Sequence, residues 1–320
     1  MTVSTIVDIR VAICVCTHSR SQGLMRLLVA MQDLDLSGYN PQSVEMIVID
    51  NNPNPETAAI CKRAAPRLPI DIHYTEEPRA GITYARNKAV AVALDRGADF
   101  VAFIDDDDQP QPDWLIQLLD RQAVTNADLV FGTWVLDTHM PQWARESGIF
   151  RSPVKAKHEN KGGRYGLPAC ASTCNALIGR DILERVATTG PVFSHTFRYS
   201  GGEDKDFFIR ANSLGAHLAS ADMSVIHRNH EPERYTARGL LKRGFKNGCS
   251  QVGMARSHGN RGRVMKLLGT ALAKLSMSLI LLPFSIFSRG FFMHSLYRMA
   301  KAFGVLYTAA TGRSINYYSR

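Results

Sequence analysis

The chain has 320 residues, 45% of them hydrophobic, and a formal net charge of +9. That length and apolar share suffice for a substantial core, or for a core domain with an appended region, and exclude a disordered tail. The positive balance admits nucleic acid, an anionic membrane surface or a negatively charged substrate as partner. Its basic residues concentrate from Arg234 to Lys274, while the first half mixes signs.

The N-terminal MTVSTIVDIRVAICVCTHSR lacks the basic start, long apolar stretch and small-residue cleavage site of a signal peptide, so a cytoplasmic start is expected. Next, VAICVC, GLMRLLVAMQDL, VEMIVID, ETAAICKRAA and IDIHYTEE alternate strand-sized and helix-sized pieces. This order predicts βαβ units and a mostly parallel sheet. Helical spacing continues from Thr83 to Arg96, and FVAFID gives a fourth strand. Gln109 to Leu119 reads as a proline turn and then a helix with Asp113 near its start, and LVFGTWV, residues 129 to 135, as another strand. An irregular stretch rich in Gly, Pro, Lys and Arg then runs to about residue 169, a candidate loop over the site.

Six cysteines include Cys14 and Cys16, and Cys170 and Cys174, at spacings that form neither a disulfide framework nor a paired zinc motif. Small buried thiols are expected. The chemistry concentrates elsewhere. Thr17 to Arg20, Asp50 to Asn52 and the acids of VAFIDDDDQP all follow strands, and in open α/β sheets ligands bind outside the carboxyl ends of strands.

Four adjacent carboxylates repel unless something positive sits among them. A divalent cation is the economical solution, since Mg²⁺ and Mn²⁺ favour oxygen donors and bridge carboxylates to phosphates. A solvated acidic turn is the alternative. The segment lacks the spaced acids and glycine of a calcium loop, and the chain has neither G-x-x-x-x-G-K-[ST] nor G-x-G-x-x-G. In GGEDKDFFIRANSLG, the acids Glu203, Asp204 and Asp206 begin a helix, where its dipole favours them; one of them could equally accept a proton from a hydroxyl.

With both acidic clusters in place, the chain resembles a family 2 glycosyltransferase of the inverting GT-A type over roughly residues 10 to 250. The resemblance rests on VAICVCTHSR, IVIDNN, EPRAGITYARNKAV, FIDDDDQPQPDWL, STCNALIGRDIL and GGEDKDFFIRANSLG, in that order. Within the family it is most similar to bacterial enzymes of succinoglycan-type polysaccharide assembly, which share the run of acids followed by proline and Trp-Leu. The resemblance implies a Rossmann-like α/β nucleotide-diphospho-sugar transferase fold and a divalent cation, Mg²⁺ or Mn²⁺. It implies that Asp105 and Asp107 form the DxD pair, with Asp107 the direct metal ligand and Asp108 a second. Thr17, Asp50, Asp105, Asp106 and Arg86 fall at positions facing the nucleotide and its diphosphate. Asp50 matches an acceptor for a uracil N–H, Asp204 the general base, and Glu203 its neighbour. Arg210 is expected to pair with Asp206. His227 matches a further metal contact, or is an ordinary loop histidine, and Cys174 stands where glycine is more usual.

The implied reaction is a single displacement that moves a sugar from a nucleotide sugar, a UDP-sugar, to a lipid-linked saccharide. A nucleotidyltransferase acting on sugar phosphates and a non-catalytic saccharide-binding protein are the alternatives. Residues 1–235 are read as the catalytic domain and 236–320 as a basic, apolar helical region. There, Leu275 to Ser288 is a fourteen-residue apolar run between Lys274 and Arg289. A bilayer span needs about 20, so an interfacial segment is expected, with a packed core helix, or a span from near Leu267 in which Lys274 snorkels, as the alternatives. Peripheral or monotopic attachment to the cytoplasmic face of the inner membrane follows, with no nucleic acid partner.

Overall fold

A computed structural model describes residues 9–136, 140–150, 166–168, 170–198, 201–228, 232–284 and 288–313. The chain forms two compact units, one within Met1–Val135, Ser152–Arg198 and Glu203–Asn229, the other within Leu136–Arg151, Tyr199–Gly202 and His230–Arg320.

The first unit opens with β1 (Val11–Thr17), α1 (Ser21–Ala30), β2 (Val44–Asp50), α2 (Pro55–Ala64), β3 (Asp71–Glu76), α3 (Ile82–Asp95) and β4 (Phe100–Asp105). The chain continues through β5 (Asp108–Pro110), α4 (Trp114–Thr125), β6 (Leu129–Leu136), β7 (Asn175–Gly179), α6 (Arg180–Ala187), α7 (Glu203–Ser213) and β8 (Leu218–Arg228). Local chemistry sets the ends of several elements. Pro55 starts α2 behind the Asn54 cap, whose side chain accepts from the Thr57 amide, and α4 stops at Asn126 in the left-handed conformation.

These strands form one eight-stranded sheet in the order β3-β2-β1-β4-β7-β6-β8-β5. The β3-β2-β1-β4 half is parallel, as the alternating apolar runs predict, whereas β4 meets β7, β7 meets β6 and β8 meets β5 antiparallel. Continuous apolar runs suit the parallel strands because helices cover both faces, and Val11 to Val15 are all buried. The chain reverses direction across the sheet between β2 and β4, on either side of β1, the type of place where a crevice opens at strand ends. Register puts Thr17 level with Asp50 and Cys16 level with Asp105.

Across the antiparallel half, one buried polar side chain joins four elements. Asn175 Nδ2 donates to the carbonyls of Thr133 (2.9 Å) and Ser224 (3.0 Å), and its Oδ1 accepts from Trp114 Nε1 (2.8 Å). Gly132 makes room for it, since a Cβ there would stand 2.2 Å from Asn175 Nδ2.

The second unit contains α5 (Gln142–Ser147), α8 (Ala237–Ser257), α9 (Arg261–Leu281) and α10 (Arg289–Thr311). The stretch read as irregular up to about residue 169 therefore contains a helix, because Trp143 and Ala144 bury against Leu240 and Met293. Residues 137–139, 151–165 and 169 of that candidate loop lie outside the described residues. Helices α8 and α10 cross through glycines: a Cβ on Gly248 would lie 2.2 Å from the Lys301 carbonyl oxygen, and one on Gly304 2.2 Å from that of Phe245.

Helix α9 begins earlier than the run counted from Leu275. Lys274 interrupts the apolar sequence without ending the helix, and residues 285–287 of the expected run lie outside the described residues. It is the one helix among the described residues long and apolar enough to cross a membrane, with mean hydropathy 1.6 over an 18-residue window of which 11% is buried.

Asn175→Ala is expected to lower unfolding free energy by about 3 kcal/mol, because it strands a buried indole N–H and two carbonyls. Urea denaturation checks this. Gly248→Leu is expected to cost at least about 2 kcal/mol by forcing α8 from α10, seen as a lower midpoint of helical circular dichroism on heating.

Candidate active site

The acidic run extends from the end of β4 into β5, and arginines from three distant elements meet it. Arg20, just before α1, places Nη1 3.0 Å from Asp106 Oδ1 and 3.3 Å from Asp107 Oδ2. From β8, Arg228 binds Asp108 through two bonds, Nε to Oδ1 at 3.0 Å and Nη2 to Oδ2 at 2.7 Å, and lies 3.5 Å from Asp105. Arg86 of α3 stands 3.6 Å from Asp105 and 2.5 Å from Glu203 at the start of α7. The repulsion that the sequence presents is thus offset in the first place by guanidinium groups. Gly23 lets α1 come close, since a Cβ there would be 2.9 Å from the Asp106 carbonyl oxygen.

Burial works against these charges. It pushes the Asp106 carboxyl up to about 6, opposed by Arg20 and by a hydrogen bond from the Thr17 side chain. Likewise it pushes Asp108 up to about 7, opposed by Arg228. All three arginines stay charged, because the neighbouring carboxylates raise their already high values despite desolvation.

Donor chemistry decides which groups fit a divalent cation. Single ligand atoms of Asp105, Asp108 and Cys174 lie within 4.8 Å of one another. Burial raises the Cys174 thiol to about 12, however, so it stays protonated and is a poor partner for a hard cation. Asp108 is fully buried with both oxygens on Arg228. Asp105 is the accessible acid, its side chain 39% exposed, and Asp107 adds a second hard carboxylate. Hard carboxylates suited to Mg²⁺ or Mn²⁺ are thus present, with Asp105 close to Asp108 and the most accessible of the four acids.

His227 is also not brought into the cluster. It pairs in register with Gln109, one residue from Arg228 on β8, so period-two alternation turns it to the other face, where it is exposed. It is Arg228, not His227, that bonds the acids here, which suits the ordinary-loop alternative for His227.

At the neighbouring strand ends, Thr17 is buried beside Asp106. Asp50 has no exposed surface: its Oδ1 accepts from the Asn52 amide (3.1 Å), and its Oδ2 from the Tyr74 hydroxyl (3.1 Å) and the Asn54 amide (3.4 Å). It organises the turn after β2; Oδ1 keeps a spare acceptor site, but with no exposed surface it can meet a uracil N–H only if the covering turn moves. Asn51 reaches further. Its Nδ2 donates to the carbonyls of Glu77 and Arg79, both at 2.8 Å, and its Oδ1 accepts from the Gly81 amide at 2.9 Å. Gly81 enters α3 with φ of 131°, a conformation that requires glycine.

The three acids that open α7 separate by partner. Glu203 is buried against Arg86, and Asp206 binds Arg210 at 3.0 Å, as expected, with Arg210 also donating to the Val192 carbonyl. Asp204 is half-buried, accepts from the Lys205 amide at 2.7 Å, and lies near enough to Arg86 to stabilise its charge. Among the described residues no arginine forms an ion pair with Asp204, unlike Glu203 and Asp206. Sequence reasoning placed Arg20 and Asn51 at polar strand ends without assigning them a partner, and missed Arg228 and Asn175. For Arg228 the signal was its place beside His227.

Comparison with known proteins agrees with this geometry. The model of the family described as "Glycosyl transferase family 2" matches residues 12–187. Over 243 residues the chain is 34% identical to the succinoglycan biosynthesis protein ExoM of Rhizobium meliloti (strain 1021), covering 73% of this chain and 71% of that protein. In fold it is similar to the mannosyltransferase PcManGT from Pyrobaculum calidifontis, solved with GDP-Man and Mn²⁺, with TM-score 0.58, 17% identity and coverage of 94% and 90%. It is also similar to S. aureus TarS 1-349, solved with UDP-GlcNAc, with TM-score 0.53, 14% identity and coverage of 95% and 93%. The fold is thus that of the GT-A type, and the chain belongs to glycosyltransferase family 2.

Proposed function

We propose that this glycosyltransferase moves a sugar, with inversion, from a UDP-sugar to a lipid-linked saccharide acceptor in cell-surface polysaccharide biosynthesis. The observation that carries the reading is Arg86, which ties Asp105 at the end of β4 to Glu203 at the start of α7. Through it the acids that fit a metal and diphosphate stand next to the acid that fits a base.

Asp105 and Asp107 would hold Mg²⁺ or Mn²⁺, which supplies positive charge for the departing nucleoside diphosphate when bound. Arg86 adds fixed positive charge on the same side. Asp204 accepts the proton of the acceptor hydroxyl as its oxygen attacks the anomeric carbon opposite the leaving group, and one displacement inverts that centre. Glu203 and Asp206 are each held by an arginine, which disfavours a carboxylate nucleophile and a double displacement.

The relative in Rhizobium meliloti supports polysaccharide biosynthesis, and the structures with UDP-GlcNAc and GDP-Man support a nucleotide-sugar donor. Attachment to the cytoplasmic face of the inner membrane, peripheral or monotopic, is supported by the exposed apolar side chains and the basic residues of α9. Such placement suits a lipid-linked acceptor.

Release of nucleoside diphosphate from a panel of nucleotide sugars, with detergent and Mg²⁺ or Mn²⁺, tests the reading. One donor is expected to be turned over, with loss of at least about 100-fold in kcat on chelation or in Asp107→Ala, and on the order of 100-fold or more in Asp204→Asn. Metal-independent turnover, or Asp204→Asn with full activity, would sink the assignment. Asp108 is expected to behave differently because Arg228 holds it. Arg228→Met should cost about 3–5 kcal/mol of stability, and adding Asp108→Asn should recover most of it in urea denaturation.

A further inference from the structure

No Asp or Glu follows Glu233, whereas fifteen Lys and Arg residues do. Because the whole chain is only +9, the part through Glu233 is net acidic and the helical end purely basic. Some of that charge converges. A cavity of about 310 Å³ within the helical unit is lined by Lys274 of α9 and by Arg298 and Lys301 of α10, with no acidic residue among the described residues of its wall. Lys274 and Arg298 have no ion-pair partner among the described residues. Lys274 and Arg298 around so small a space repel one another, and an anion between them relieves that repulsion.

Apolar surface adjoins the charge. Leu267, Ala271 and Val305 share the cavity wall, and along α9 the side chains of Met265, Leu272 and Ile280 are more than half exposed. A phosphate joined to a hydrocarbon chain matches both features, as phosphate alone does not. Nucleic acid matches less well, because among the described residues only Tyr297 and His294 offer rings on the wall and the neighbouring surface is aliphatic.

We propose that this cleft is a binding site for the phosphate of an anionic lipid, with Lys274, Arg298 and Lys301 around the phosphate and the lipid chain along α9. The site deepens the membrane-attached reading given above and rests on it. It makes attachment selective for a headgroup rather than a general attraction of a basic surface to negative charge.

The test is co-sedimentation of the full chain with vesicles of phosphatidylcholine alone, with phosphatidic acid added, and with phosphatidylglycerol at matched surface charge. Wild type is expected to prefer phosphatidic acid, whose terminal phosphate can enter the cleft. The double variant Lys274→Gln, Arg298→Gln should weaken that binding about tenfold or more. A control with the same loss of charge outside the cleft, Arg261→Gln with Arg263→Gln, should change it less than about threefold, an expectation from the short range of screened surface charge. Both variants should keep wild-type circular dichroism and nucleoside diphosphate release.

Equal weakening by the two pairs would overturn the cleft while leaving membrane attachment intact. Absence of binding to any vesicle would overturn both. Competition by millimolar inorganic phosphate as effective as that by short-chain phosphatidic acid would assign the cleft to free phosphate, and stronger competition by an oligonucleotide would assign it to nucleic acid; either result overturns the lipid proposal.

Discussion

The geometry of the first unit depends on how four carboxylates in a row, Asp105 to Asp108, are kept together. Arg20, Arg86 and Arg228 arrive from the start of α1, from α3 and from β8. No local segment contains both sides of this balance, so the site forms only once the sheet and its covering helices are assembled. Buried ion pairs add little net stability, but they penalise wrong arrangements severely. The two-bond contact of Arg228 with Asp108 admits one orientation of β5 against β8. Asp105 and Asp204 are left as the acids most open to a ligand.

Much of this was legible from the sequence. Continuous apolar runs marked the parallel strands, because those strands are buried on both faces, and polar residues at their ends marked the crevice. The succession of strand-sized apolar runs and helix-sized stretches indicated βαβ order as far as β4. It could not reveal that β7 enters antiparallel beside β4, since an apolar run such as NALIG reads the same in either direction.

Within the site, the acids stood out because like charges are unusual side by side, but their counter-charges did not. Arg20 and Arg228 are 86 and 120 residues from the acids they bind. A guanidinium and a divalent cation solve the same repulsion, and sequence alone offers no way to choose. His227 and Arg228 are adjacent, so only the β5–β8 register decides which of them faces the acids. Asp50 read correctly as a strand end, but its hydrogen bond from Tyr74 depends on the pairing of β2 with β3. For α9, the sequence admitted both a run starting after Lys274 and one passing through it from near Leu267; the helix passes through, since on an exposed helix a long basic side chain interrupts nothing.

Asn51 has a consequence for the timing of order. Its three hydrogen bonds fasten the backbone at Glu77, Arg79 and Gly81 to the end of β2, just ahead of the helix that carries Arg86. Fixing a residue's backbone removes roughly 1–2 kcal/mol of conformational freedom. Here that loss falls in folding rather than at the arrival of a donor. Encounter with a nucleotide therefore meets a segment already in place, and more of the contact energy remains as affinity.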